Sequence, residues 1–308
     1  MNEGKHPVSS VSPLRSRGRA LALLGTAAAV ALAASACAPK SDSTSTTAAA
    51  SGSASASCSA SSLALYKKGQ LTVATDSPAY APWFENNNPS NGEGFESAVA
   101  YAVAQELGFS KSQVKWVIES FDDSYAPGNK NFDFDINEIS ITTQRAQAVD
   151  FSTGYYDANQ GVLTLASSKY AGATSLAQLK GAKIGVQIAT TSYEAVENEI
   201  KPTSSVSVYN TTDDEVNALT DHQVDAIVTD MPTVFYLASA ELNNGKIVGQ
   251  FSYDGGSSPE EFGLLLQKGS GLTGCVDQAI AKLKSNGELA SITKKWLSDA
   301  ADAPELSQ

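Results

Sequence analysis

From Leu71 onward, short apolar runs rich in β-favouring residues alternate with segments of helical period, and this alternation happens twice. In the first batch, Leu71-Thr72-Val73-Ala74-Thr75 reads as a buried strand. Asp76 to Pro89 follows, a loop holding three prolines and three consecutive asparagines. Glu96 to Leu107 carries Val99, Val103 and Leu107 at helical spacing, with Gly108 as the stop. Val114–Ile118, Phe132–Ile141 and Val162–Ala166 read as further strands. The second batch opens with a short helix capped by Ser175 and ending at Leu179. It continues with a strand at Lys183–Val186, a helix from Thr190 or Thr191 to Ile200, a strand at Val206–Tyr209, a helix at Asp213–Leu219 and a strand at Asp225–Val228. A last strand at Phe262–Gln267 precedes helices at Leu272–Asn286 and Leu289–Ser298, separated by Gly287. Such alternation predicts an α/β fold of parallel sheets with helices on both faces, in one large domain or two lobes.

The first 62 residues have a different character. Arg15, Arg17 and Arg19 precede an apolar stretch from Ala20 to Ala33, which ends in Ala34-Ser35-Ala36-Cys37. The run is short and ends in small residues, as a signal peptide does, and residues 1–36 are expected to be one. The cysteine after the small residues resembles a bacterial lipobox, with Ala34 where Leu is usual. On that resemblance Cys37 would carry lipid and begin the exported chain on the outer face of the cell membrane, or in the periplasm. Simple cleavage after Ala36 is the alternative. Residues 37–62, mostly Ser, Ala, Thr and Gly, cannot bury enough apolar surface to offset ordering entropy, and are expected to form a flexible tether.

The chain carries 21 basic and 33 acidic side chains, a net charge of −12. Loss of residues 1–36 removes four basic and one acidic side chain, leaving 17 and 32, a net −15. Nucleic-acid binding needs a basic surface and is excluded on this ground. Of the three cysteines, Cys58 and Cys275 form an even pair in an exported, oxidising setting if Cys37 is lipidated, so a Cys58–Cys275 disulfide is expected. With no CxxC spacing, a zinc site has no support, and no cofactor is expected.

Several stretches, in order, resemble one family over residues 63–298. They are Leu71-Thr72-Val73-Ala74-Thr75-Asp76 with Tyr80-Ala81-Pro82-Trp83, Gly94-Phe95-Glu96, and Ser140-Ile141-Thr142-x-x-Arg145-Ala146 with Val149-Asp150-Phe151-Ser152. Further on come Leu176-x-x-Leu179-Lys180-Gly181-x-Lys183-Ile184-Gly185-Val186, Val224-Asp225-Ala226 with Asp230, and Lys294-Lys295-Trp296-Leu297. Together they resemble the family 3 solute-binding proteins of ABC transporters, the polar-amino-acid-type periplasmic binding proteins. The resemblance implies two α/β lobes joined by two hinge strands, with the ligand held between them. Lobe 1 would comprise residues 63–159 and 262–308, and lobe 2 residues 160–261. It also implies an amino-acid ligand, permease subunits as partners and a monomeric protein. Ligands of open α/β sheets bind at the carboxyl ends of strands, which fits.

The resemblance also assigns site residues. Arg145 would clamp the ligand α-carboxylate with its planar fork; the alternative is a surface arginine. Ser140 would touch the ligand's ammonium or carboxylate. Asp230 would accept from the α-ammonium, or cap the helix that starts at Met231-Pro232, or both. Thr190, Thr191 and Ser192 would offer backbone N–H groups to an anion, or serve only as a cap, with Ala189 standing where Gly is usual. Tyr80 and Phe121 would sandwich the ligand side chain, or pack the core. Trp83 would be wall.

Glu138 departs from the family, which has a small residue there. On a continuous strand it points the same way as Ser140. It would accept from a cationic part of the ligand, favouring a cationic amino acid, or it would pair with Arg145 and leave the ligand neutral. Enzymatic signatures are missing: the two histidines are His6 and His222, and no HExxH, GxSxG, P-loop or GxGxxG occurs. Glu138 alone keeps open a reading that resembles the cyclohexadienyl dehydratases of the same fold. A ligand-sensing partner of a membrane receptor is a third reading.

Overall fold

The computed structural model describes residues 58–254, 260–297 and 303–308. The expected signal segment, Cys37 and most of the expected tether lie outside the described residues. Residues 58–62, placed in the tether by composition, belong to the folded body instead. Cys58 is disulfide-bonded to Cys275, and Ala60 and Leu63 pack on the adjoining core. That bond spans 217 residues. In the chain-entropy account, a loop of that length raises stability by about 5 kcal/mol through the unfolded state.

The first lobe holds β1 (Leu71–Thr75), β2 (Val114–Ile118), β3 (Phe134–Asp135) and β4 (Val149–Phe151). After β5 (Tyr156–Asp157) the chain enters the second lobe. There it forms β6 (Gln160–Leu165), β7 (Ile184–Gln187), β8 (Ser207–Tyr209), β9 (Ala226–Asp230) and β10 (Gly245–Phe251). It returns through β11 (Glu261–Phe262) and β12 (Leu265–Gln267). The sheet orders are β2-β1-β3-β12-β4 and β10-β6-β9-β7-β8, with β5 and β11 paired as a separate ribbon. The sheets are mixed where the alternation predicted parallel ones. Both strands that follow a crossing between lobes run against their neighbours: β12 against β3 and β4, and β6 against β9 and β10.

Alternation along β9 explains how the second sheet is covered on both sides. Ala226 and Val228 face one cluster, with Leu176, Leu179, Val196 and Ile200; Ile227 faces the other, with Leu219 and Val234. In the first lobe, α1 (Phe95–Glu106) covers the sheet and the short α2 (Phe121–Ser124) follows β2, while α3 (Leu176–Leu179) precedes β7 in the second lobe. Gly94 starts α1 at φ 94°, and a Cβ there would stand 2.4 Å from the Trp83 carbonyl oxygen. Only glycine fits that approach, which lets Trp83 O accept from Glu96 N at 3.0 Å.

The run Phe132–Ile141 is not one strand. The ladder breaks after Asp135 and pairing returns only as a bridge from Ser140 to Phe262, and between them Glu138 sits at φ 52°, a left-handed conformation that breaks side-chain alternation. The inference that Glu138 and Ser140 share a strand face therefore falls. The C-terminal end also departs from expectation. After α7 (Thr273–Ser285) and α8 (Glu288–Leu297) on the first lobe, residues 303–308 lie on the second lobe. β10 is an edge strand, and the tail runs along its open side. Gln250 N donates to Pro304 O at 2.9 Å, Leu306 N to Gln250 O at 2.8 Å, and Leu306 is buried in the second core. Assigning all of 262–308 to lobe 1 is corrected on this point. Among the described residues, no helix is long and apolar enough to cross a membrane.

Candidate functional site

A cavity of about 50 Å³ lies between the lobes. Lobe 1 contributes Asp76, Tyr80, Phe121 and Glu138; lobe 2 contributes Thr190, Thr191, Glu215, Asp230 and Thr233. Asp76 stands at the carboxyl end of β1 and Asp230 ends β9, so both come from strand ends, where an open α/β sheet leaves a crevice. Arg145 lines an adjoining pocket, which shares Thr190 and Thr191 with the cavity.

Three sets of polar contacts hold the lobes together around the cavity. Trp83 Nε1 donates to Thr233 Oγ1 at 2.7 Å, and the Thr233 hydroxyl donates to Glu138 Oε2 at 3.1 Å. The hydroxyls of Ser140 and Thr191 are 3.2 Å apart. The carbonyl of Ala189 accepts from Arg145 Nη2 at 3.1 Å and from the Tyr125 hydroxyl at 3.2 Å. The cleft is closed in this conformation.

Arg145 is buried rather than a surface residue. Its other terminal nitrogen donates to Ser140 O at 2.9 Å, and the guanidinium lies over Phe121 (5.3 Å) and Tyr125 (4.7 Å). Two of five donors are used this way among the described residues. Among those residues, the ion pairs are Lys268–Asp150 and Lys282–Glu106, both elsewhere, so the expected alternative of a Glu138–Arg145 pair is not formed. Glu138 instead faces Glu96 and Asp230. Burial first, and those like charges next, hold its carboxyl well above the ordinary range.

Asp230 takes the position foreseen for it, but the capping bond expected of its side chain is not formed. It precedes α6 (Met231–Tyr236) in extended conformation, though without a side-chain cap bond, and it lines the cavity. Gln160 Nε2 donates to it at 2.9 Å and to Glu260 Oε2 at 3.2 Å, while Ser140 Oγ donates to Glu260 Oε1 at 2.7 Å. Burial first, then Glu260, pushes the Asp230 carboxyl well up. Thr190 caps α4 (Thr191–Ala195), its hydroxyl accepting from Tyr193 N at 3.3 Å. Ala189 before it adopts φ 64°, the conformation a glycine there would take freely. Tyr80 and Phe121 are half-buried and line the cavity, and burial pushes the Tyr80 phenol up to about 12. Trp83, expected as wall, is instead fully buried in the lobe 1 core and does not line the cavity.

Site residues that escaped the sequence reading include Asp76, Gln160, Glu215, Thr233 and Glu260. Gln160 and Glu260 sit on the two crossings between lobes. Glu215 lies on α5 (Thr212–Thr220) in register with buried Ala218 and Leu219, three and four residues on, and that spacing was a signal for burial. Asp133, by contrast, is structural: it accepts from Tyr66 N and Thr72 N, each at 2.6 Å.

Two α/β lobes with an antiparallel hinge ribbon, closed over a polar cavity at their strand ends, define a binding protein of the two-lobed periplasmic type. The model for bacterial extracellular solute-binding proteins, family 3, matches residues 71–299, and the chain belongs to that family. It is 30% identical over 223 residues to the ABC transporter glutamine-binding protein GlnH of Bacillus subtilis, covering 70% of this chain and 77% of that one. To the L-cystine-binding protein TcyJ of Escherichia coli K12 it is 27% identical over 236 residues, covering 75% and 83%. Among solved structures it resembles an ancestral arginine-binding protein bound to glutamine. The TM-score is 0.64 at 28% identity, with 76% of this chain and all of that one covered.

Proposed function

We propose that this protein captures an amino acid between its lobes outside the cytoplasm and hands it to the permease subunits of an ABC importer, as a monomer anchored through lipid on Cys37. The observation that carries the reading is the placement of opposite charges along one closed cleft. Arg145 stands at the Thr190–Thr191 end and Asp230 inside the cavity. A zwitterion presents a carboxylate and an ammonium a fixed distance apart, and an acid and a guanidinium held by different lobes meet both only when the lobes close. Tyr80 and Phe121 supply apolar faces for the side chain. Relatives that bind glutamine, cystine and arginine support the ligand class.

Turnover is not part of this reading. The support for this is that the relatives the chain matches are named as binding proteins. A thermal-shift screen of the purified protein against the proteinogenic amino acids tests the proposal. At a hundredfold excess over Kd, a true ligand adds about 2.7 kcal/mol of stability. A screen in which no amino acid raises the melting temperature rejects the reading. Conversion of an added amino acid, prephenate or arogenate to a new product rejects its non-catalytic part.

A further inference from the structure

We propose that Glu215 selects a ligand with two cationic centres: the α-ammonium, and a second ammonium or guanidinium at the far end of an amino-acid side chain. This rests on the amino-acid reading above.

Glu215 is fully buried, lines the cavity, and has no hydrogen-bond partner for either carboxylate oxygen among the described residues. The fold does not need it there. The first turn of α5 is already capped by the Thr211 hydroxyl, which accepts from Asp214 N at 3.2 Å. The helix packs inward through Ala218 and Leu219, which are apolar. The charges nearest Glu215 are Asp230 and Asp214, which repel it, and burial acts in the same direction to hold its proton.

The charges lining the cavity do not balance. Asp76, Glu138, Glu215 and Asp230 line it, and among the described residues no Lys or Arg does. Asp76 accepts from Ser77 N and Phe121 N, and Glu138 accepts from Thr233. A zwitterion brings one ammonium, for Asp230, and one carboxylate, for the Arg145 side. Glu215 would still be unmatched. A carboxamide side chain could donate to it, but would bring a further acceptor oxygen into a site already lined with acceptors. A second organic cation meets Glu215 and lowers the net negative charge of the cavity at once. The Tyr80 and Phe121 rings suit a cation passing between them. A metal ion fits less well, since no group of three or more His, Cys, Asp or Glu among the described residues is arranged to hold one.

Calorimetric titration with L-lysine, L-arginine, L-ornithine and L-glutamine, on the wild-type protein and on Glu215→Gln, tests the proposal. At least one basic amino acid is expected to bind the wild type about tenfold or more tighter than glutamine, the scale of one charged hydrogen bond. In Glu215→Gln the ratio of basic-ligand to glutamine affinity should fall by about that factor. Tighter binding of glutamine than of every basic amino acid overturns the proposal and leaves the amino-acid reading standing. A basic ligand held equally well by Glu215→Gln also overturns it. No binding of any amino acid overturns both. If Glu215→Gln does not fold, Glu215→Met carries the same comparison, and a basic ligand held equally well by that variant overturns the proposal.

Discussion

The indole nitrogen of Trp83, in lobe 1, donates at 2.7 Å to the hydroxyl of Thr233, in lobe 2. The same hydroxyl donates to Glu138, back in lobe 1. One threonine thus ties two lobe 1 groups across the cleft, and these bonds exist only when it is shut. Thr233→Val keeps the shape and removes both. It is expected to shift the population toward the open form and weaken amino-acid binding about 5–30-fold, the value of one to two hydrogen bonds. Calorimetry reads this directly. Unchanged affinity would mean the latch contributes nothing to closure.

Arg145 joins lobes through the Ala189 carbonyl and is proposed to hold the ligand α-carboxylate with its remaining donors. A lysine keeps the charge and loses the fork. Arg145→Lys is expected to bind the ligand about tenfold or more weakly. It should also discriminate far less between an amino acid and its α-carboxamide than the wild type does. Equal discrimination in both proteins would remove the carboxylate from Arg145.

Ala189 occupies a left-handed conformation at φ 64°. For a residue with a Cβ this costs about 1–2 kcal/mol, partly offset by the greater freedom glycine has when unfolded. Ala189→Gly is therefore expected to raise stability by about 0.5–1 kcal/mol in urea denaturation, with the carbonyl still bonded to Arg145 and Tyr125. A loss of stability would contradict the assignment of strain.

Glu96 is fully buried in lobe 1, accepting from the Tyr155 hydroxyl and from Glu138 N, with Glu138 and Asp135 as like-charged neighbours. Burial, the largest cause, raises its carboxyl to about 7. The folded value lies above the unfolded one. The stability it contributes is thus full below the ordinary range near 4.5 and is lost as pH rises through 7. Unfolding free energy is expected to fall between about pH 4.5 and pH 7 and to level off above that. Glu96→Gln should flatten that slope by a few kcal/mol, at 1.36 kcal/mol per pH unit of difference. Stability that rises over this range, or an unchanged slope in Glu96→Gln, would contradict the account.

Apolar runs carried most of the fold. Leu71–Thr75 appears at the bounds its composition predicts, because a central strand buried on both faces reads as an unbroken apolar segment; Val114–Ile118 also appears at its bounds, although it is an edge strand with Lys115 and Ile118 exposed. Phe132–Ile141 misled for the opposite reason. Its residues are mostly buried, but a left-handed Glu138 separates the paired Phe134–Asp135 from the bridge at Ser140, and periodicity carries no trace of one backbone torsion. Short paired segments such as Tyr156–Asp157 were invisible, since two residues hold no period. In the site, Arg145 and Asp230 were legible through motif order. Gln160 and Glu260 were not, because their roles come from the chain crossing the hinge beside them. The disulfide was legible from cysteine parity and the exported setting alone. The tail on β10 was not, since nothing in residues 303–308 marks which lobe they meet.

Capture by closure is the central claim, and small-angle scattering of the purified protein, alone and saturated with the amino acid that most raises its melting temperature, tests it most directly. Arg145, Ser140 and Trp83 on one lobe meet Ala189, Thr191 and Thr233 on the other only when the cleft is shut. The account predicts a smaller radius of gyration with ligand than without, and a reduced compaction in Thr233→Val. Identical profiles with and without a bound amino acid would contradict it.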